Sequence, residues 1–256
     1  RTANVIAENM SLLATSRQII IEGDASIPGY GLKQEVAWNS GLNFTQNFRL
    51  NYRPGTFSAD AYYTFFENQV VVDMENPREA RFYNLDGRSY ATSLQAQFDY
   101  SPIRRFDVRL AYRWYDVKTQ YTSGLKTKPY IASNRAFTNL SYELLSGWKF
   151  DYTFQWQGQK RIPSTAANPF EFQRSTKSPD LFLMNAQITK SWNEVFDIYV
   201  GMENMTNVKQ QYPIIAASDP NNAYFDSSMI WGPIFGRMTY LGIRWNPSKA
   251  SSKKAK

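Results

Sequence analysis

The chain has 256 residues, 43% of them hydrophobic and 16% aromatic, with a formal charge of +7 from 29 Lys+Arg against 22 Asp+Glu. It contains neither cysteine nor histidine, which removes disulfides, thiolate metal sites, the usual zinc ligand sets and imidazole-activated nucleophiles, so no enzyme activity, catalytic residue, metal or cofactor is expected. No run of about 18 apolar residues exists, which excludes a membrane-spanning helix but not spanning strands, since these need only about 9–11 residues with one apolar face.

The chain opens Arg1-Thr2-Ala3-Asn4 without an initiator Met, which reads as a start inside a longer polypeptide. Residues 1–34 carry no sustained alternation and are taken as an external loop region. From residue 35 to 246 the dominant signal is a period of two, which places alternate side chains on opposite faces of a strand. Weaker versions occupy Val36–Thr45 and Phe57–Phe66. From Ser89, Tyr90, Leu94, Ala96, Phe98 and Tyr100 oppose Ser93, Gln95, Gln97 and Asp99. From Phe106, Val108, Leu110, Tyr112 and Trp114 lie opposite Asp107, Arg109 and Arg113. A weaker segment covers Arg135–Leu144. The clearest runs from Trp148 to Gln159: Trp148, Phe150, Tyr152, Phe154 and Trp156 on one side, Lys149, Asp151, Thr153, Gln155 and Gln157 on the other. Further strands start at Leu181 and Phe196, and Met238–Trp245 closes the series. About nine antiparallel strands result. The basic tail, 247–256, holds Lys249, Lys253, Lys254 and Lys256 and reads as a disordered, solvated end. Nucleic-acid binding would need basic residues spread over a structured face, and that pattern is missing.

Connectors alternate in length. Short turns are expected at Arg53-Pro54-Gly55, Ser101-Pro102-Ile103, Leu145-Ser146-Gly147 and Ser191–Val195. Long loops are expected over 73–87, 122–134, 161–180 and 208–236. This sorting is the mark of up-and-down transmembrane barrels, with turns on the periplasmic side and loops outside. Trp or Tyr closes both ends of several apolar rows, as with Trp148/Trp156 and Tyr90/Tyr100, matching interfacial girdles. The reading is therefore an all-β, antiparallel, up-and-down transmembrane β-barrel segment, with the apolar rows against lipid and the polar rows toward a wet lumen.

Three stretches resemble a known family. Gly201-Met202-Glu203-Asn204-Met205-Thr206-Asn207 resembles a G-x-E-N-hydrophobic-x-N segment near the end of TonB-dependent receptors. Trp231-Gly232-Pro233-Ile234-Phe235-Gly236-Arg237, followed by Met238–Trp245, resembles their closing strand. Arg1–Asn4 with Glu8-Asn9 and Leu12-Leu13-Ala14 resembles one of their external loops. The resemblance implies the last nine or so strands of a 22-strand outer-membrane barrel that takes up a scarce nutrient of siderophore, cobalamin or oligosaccharide type. It also implies partners: outer-membrane lipid, a plug domain and further strands absent from this chain, TonB acting through that plug, the barrel-assembly machinery, and a small-molecule or oligosaccharide ligand. Without plug or closing strands, the chain reads as a piece of a larger molecule, its two sheet edges unpaired.

Arg161 and Arg174, with Lys160 and Lys177, bracket one long loop and could attract an anionic ligand; solvated rim charges explain them as well. Tyr212, Tyr224 and Trp231, with Phe225, could stack on a ligand, or could simply pack the longest loop over the barrel mouth. Asp219-Pro220-Asn221-Asn222 with Asp226 could ligate calcium, against a polar turn held by Asx hydrogen bonds. Arg109, Arg113, Arg135, Glu143, Lys149 and Asp151 fall on lumenal rows, where cross-strand pairing competes with contact to a plug. Gly236, Tyr240, Gly242 and Trp245 match the closing strand that the resemblance makes an assembly signal, with Asn246–Lys256 extending past it. The rival readings are a soluble carbohydrate-binding β protein and a non-TonB outer-membrane barrel, including a lipid hydrolase, for which the absence of histidine is a strong objection.

Overall fold

The computed structural model describes residues 4–193 and 195–247. A short helix, Val5–Glu8, and a 3-10 turn, Met10–Ala14, lead into β1 (Gln18–Glu22). There follow β2 (Val36–Leu50), β3 (Arg53–Asn68), β4 (Val70–Asp73), β5 (Glu79–Asn84), β6 (Ser89–Ile103) and β7 (Phe106–Tyr121). The chain then continues through β8 (Gly124–Thr127), β9 (Asn134–Glu143), β10 (Trp148–Gln157), β11 (Leu181–Trp192), β12 (Phe196–Glu203) and β13 (Met238–Trp245). Nine of these, β2-β3-β6-β7-β9-β10-β11-β12-β13, form one antiparallel meander in chain order, with β8 hanging from the loop end of β7. They are the nine strands expected from alternation. At about 3.3 Å per residue, the 15 and 16 residues of β2 and β3 reach roughly 50 Å, enough to cross a hydrocarbon layer of about 30 Å at a steep tilt and continue beyond it.

Register keeps the two faces separate across the whole sheet. Directly opposed residues share a face, and one such row runs Leu140, Tyr152, Ala186 and Met202 through β9, β10, β11 and β12. The next row over runs Asn139, Thr153 and Asn185, where the Asn139 amide donates to Thr153 Oγ1 at 3.1 Å. A slip of one residue anywhere would mix the rows. Among the described residues no second layer covers the apolar rows: Leu110 is 43% exposed, Phe182 45% and Leu241 73%. A soluble sandwich would bury these side chains against a second sheet. Instead, among the described residues every buried hydrophobic lies in the N-terminal segment, in a connector or, as with Tyr121 and Leu181, at the loop end of a strand.

The connectors alternate as expected, with two shifts of position. The first hairpin turns at Asn51-Tyr52, both at positive φ (50° and 61°), the mirror-image two-residue turn that suits the twist of paired strands. Pro54 and Gly55 lie inside β3. Pro54 precedes the first pair between β3 and β6, Gly55 with Tyr100, so its missing N–H removes no bond of that ladder, and Gly55 is covered by the Phe48 ring. Likewise Ser101–Ile103 belongs to β6, with a register irregularity, and the chain reverses at Arg104-Arg105, Arg105 taking φ 65°.

The long connectors are not bare loops. Residues 69–88 contain β4 and β5, which join β1 in a small sheet of order β1-β5-β4, β1 running parallel to β5. Alternation within β5 buries Ala80 and Phe82, which pack with Val70 of β4 against Val5, Leu12 and Leu32. A second cluster, Ile162, Ile215 and Met229, ties the connector after β10 to that after β12. The molecule's dry core is thus a cap built from its loops.

Candidate functional site

The cap is organised by charges taken out of water. Arg17, just before β1, donates from Nε to Asp226 Oδ2 at 2.8 Å, with side chains 1% and 6% exposed. Its Nη1 donates to the carbonyls of Met74, Asn76 and Glu79, and Nη2 reaches Met229 Sδ at 3.7 Å. The other carboxylate oxygen of Asp226 accepts from Ser228 N–H and Oγ. One guanidinium therefore joins the N-terminal segment, the β4–β5 turn and the longest loop. Desolvated charges are tolerated in this way only when fully partnered. Tyr130 packs at the same point, its hydroxyl 3.2 Å from Met229 Sδ, and burial pushes its pKa well above the usual tyrosine value. Nothing local in the sequence marks Arg17 for this role.

A second node forms at Glu75, which accepts from Arg161 Nη1 at 2.8 Å and from Lys126 Nζ at 2.7 Å. Arg161 also donates to Thr127 O and lies over the Tyr121 ring. Its guanidinium is engaged within the cap. Burial and the Asp73 carboxylate, which accepts from Tyr83 Oη at 2.8 Å, push the Tyr83 hydroxyl far up.

Of the remaining loop candidates, three meet. Arg174, Tyr212 and Trp231, joined by Lys177, Ile215 and Met229, line a cavity of about 170 Å³ between the two longest loops. Trp231 is positioned through its backbone: its N–H donates to Gln210 Oε1 at 2.8 Å and its carbonyl accepts from the buried Lys160 Nζ at 2.6 Å. Burial, and then the charge of Arg135, hold that ammonium below the usual lysine range. Buried Gln210 also donates to Met229 O at 3.0 Å. Sequence reading missed this residue, because one glutamine in a polar loop gives no signal. Tyr212 is 78% exposed, an aromatic face on water at the rim. Arg174 Nη1 is directed to the carbonyls of Glu171 and Gln173. Tyr224 lies apart, stacked on Phe172 at 5.2 Å with Arg78 over its ring.

Asp219 and Asn222 accept backbone N–H groups two residues on, from Asn221 and Tyr224, as Asx turns do. With Asp226 committed to Arg17, the described residues hold no acidic cluster suited to a metal.

The polar face of the sheet pairs several of its charges across or along strands: Arg109 with Asp99 at 2.5 Å, Lys149 with Asp151 at 3.3 Å, Arg244 with Asp197 at 3.7 Å. At the closing strand each glycine answers an aromatic ring. A Cβ on Gly201 would sit 2.3 Å from the Tyr240 ring, and one on Gly242 would sit 2.2 Å from the Tyr199 ring. The two tyrosines meet edge to face at 6.2 Å, and Tyr240 Oη donates to Gln187 at 2.8 Å. Asn204 and Asn207 both take positive φ, which asparagine tolerates better than most residues. Asn204 bonds Val208 O and Phe235 O, and Asn207 Oδ1 accepts from Arg237 N–H beside Gly236. The spacing of the Gly201–Asn207 motif is thereby explained. Trp245 ends β13 opposite Phe196, 71% exposed.

Comparison with known proteins agrees with this architecture. The family model described as TonB dependent receptor-like, beta-barrel matches residues 11–205. A search of the curated proteins gave no match. Among solved structures, the ferric-catecholate import receptor Fiu from K12 E. coli superposes with a TM-score of 0.58 at 13% identity, covering 87% of this chain and 29% of that one. The FrpB iron transporter from Neisseria meningitidis gives 0.57 at 12%, covering 88% and 32%. The R480A mutant of the ferric enterobactin receptor PfeA from Pseudomonas aeruginosa, in complex with enterobactin, gives 0.62 at 10%, covering 87% and 32%. The chain thus spans about 30% of the length of the solved receptors it matches, and at these identities the likeness concerns the fold. Nine meandering strands with apolar rows outward, and a family match over most of their length, place this chain in the TonB-dependent receptor β-barrel family of the outer membrane, as part of a receptor barrel.

Proposed function

We propose that the molecule containing this chain takes up a scarce nutrient across the outer membrane, of siderophore, cobalamin or oligosaccharide type. In this reading the long connectors capture ligand outside, and TonB acts through a plug held in the lumen. The observation that carries it is the sorting of the structure: apolar rows exposed for lipid, polar rows for a wet interior, and the packed core confined to the loops. The ligand surface in this proposal is the rim cavity, where Tyr212 and Trp231 offer aromatic faces and Arg174 and Lys177 offer positive charge. Arg161 and Tyr224 support it from within the cap. Gly236, Tyr240, Gly242 and Trp245 serve as the closing segment met by the assembly machinery, the first three through tight packing and Trp245 through its lipid-facing ring.

Uptake decides the matter. Cells that depend on the intact receptor would be offered labelled ferric siderophores, cobalamin and oligosaccharides in turn, with and without a functional TonB system. Energised accumulation of one class, reduced at least tenfold by Tyr212→Ala together with Trp231→Ala, is the expected result. Accumulation of none, or uptake indifferent to TonB, would remove the reading.

A further inference from the structure

The polar face neutralises Arg109, Lys149 and Arg244 with carboxylates. Away from the turn end of β2, where Arg49 also lacks a carboxylate among the described residues, one place departs from this pattern. Arg113 on β7 and Arg135 on β9 are directly opposite in register, on the same polar row. Like charges placed so are destabilising. Their other neighbours in the row are the uncharged amides Gln95 and Gln157. The nearest carboxylate along it, Asp60, is one strand further on and is already bonded by Asn43.

Among the described residues, neither guanidinium has an ion-pair partner. Arg113 donates once, from Nη1 to Tyr115 Oη at 2.7 Å. Both guanidinium carbons flank the Tyr115 ring, at 5.1 and 5.9 Å from its centroid. The Nε atoms of both are shut off from solvent without an acceptor, a state that folded proteins rarely leave uncorrected. A third cation, Lys160, is buried within the electrostatic reach of Arg135. Two adjacent forks with unused donors match the paired oxygens of a carboxylate.

We infer that Arg113 and Arg135 form a lumenal site for a carboxylate supplied from outside the described residues. The proposal rests on the barrel reading, which makes this row face the lumen. The carboxylate can be borne by a protein segment filling the barrel or by a small ligand passing through it.

The test uses the intact receptor in detergent, as wild type, R113Q/R135Q and R113K/R135K, with thermal melting followed with and without citrate. A small-ligand site predicts that millimolar citrate raises the wild-type melting temperature by several degrees, and that the Gln pair abolishes the response. A protein-borne carboxylate predicts no citrate response, a melting temperature several degrees lower for the Gln pair, and an intermediate value for the Lys pair, which keeps the charges but loses the forks. Should the Gln pair not fold, Arg135→Gln alone carries the same comparison. No citrate response, with a Gln pair melting at or above wild type, would overturn the site, since removal of mere repulsion gives that result. A Gln95→Cys variant separates the two levels. Reaction with a soluble maleimide keeps the row in the lumen, so that the melting data judge the site alone; reaction with a lipophilic maleimide overturns the barrel reading and the site with it.

Discussion

Replacing Arg17 with Ala should open the loop cap while leaving the strands in place. The substitution leaves Asp226 buried without its cation and strips the donor from three carbonyls, those of Met74, Asn76 and Glu79. Breaking one partner of a buried ion pair costs about 3–5 kcal/mol. Converted at about 1.4 kcal/mol per decade, the locally open population rises by roughly two to three and a half powers of ten. Asp226→Ala should cost less, because the guanidinium keeps its carbonyl partners. Joint removal should cost less than the two singles summed, as coupled sites behave. Amide hydrogen exchange on the intact receptor reads this directly. Protection should fall at Ile215 and Asp226, which exchange backbone hydrogen bonds, and at Gln18, whose N–H donates to Arg78 O. Exchange in β10 should not change. Unaltered protection in the cap, or equal loss in cap and strands, would refute the reasoning that Arg17 clamps three loop segments into one local unit.

Further outcomes follow from the sheet. Tyr152→Arg, on the apolar row near the middle of β10, should destabilise the folded barrel by about 2–4 kcal/mol, whereas Thr153→Arg beside it should cost far less; denaturant titration in lipid vesicles distinguishes them. Gly201→Leu forces the Tyr240 ring out of its place and should cost roughly 1–3 kcal/mol by overpacking, seen as a lower melting temperature and less folded receptor in the membrane. Glu75→Gln removes the carboxylate shared by Arg161 and Lys126 and should raise proteolytic cleavage in 122–133 several-fold, without altering the strands.

What the sequence disclosed and withheld has a physical pattern. Alternation over eight or more residues is imposed by the two solvents on either side of a strand, so all nine long strands and both faces of Trp148–Gln157 were legible. Turn placement was less so. Pro54-Gly55 and Pro102 attracted the assignment, yet these residues sit within β3 and β6, and the reversals occur at Asn51-Tyr52 and Arg104-Arg105. The small sheet was invisible because its parallel pair joins residues 18–22 to 79–83, and strands of four to six residues resemble loops in a sequence. The apolar triplets Ile19–Ile21 and Val70–Val72 were the available signal. At the site, Tyr212, Trp231 and Arg174 were legible as aromatic and cationic loop residues. Their convergence depends on Gln210 and Lys160, whose roles arise only from contacts across the fold. The charged lumenal residues were legible too, but not the division between those with a carboxylate, such as Arg109, and those without, Arg113 and Arg135.

A transmembrane barrel requires that lipid wet one row of β10 and water the other. Single cysteines placed from 148 to 157 in the assembled receptor, exposed in membranes to a lipophilic probe and a water-soluble thiol reagent, measure this directly. Positions 148, 150, 152, 154 and 156 should take the first label and positions 149, 151, 153, 155 and 157 the second. Equal reaction of all ten with the soluble reagent would contradict it.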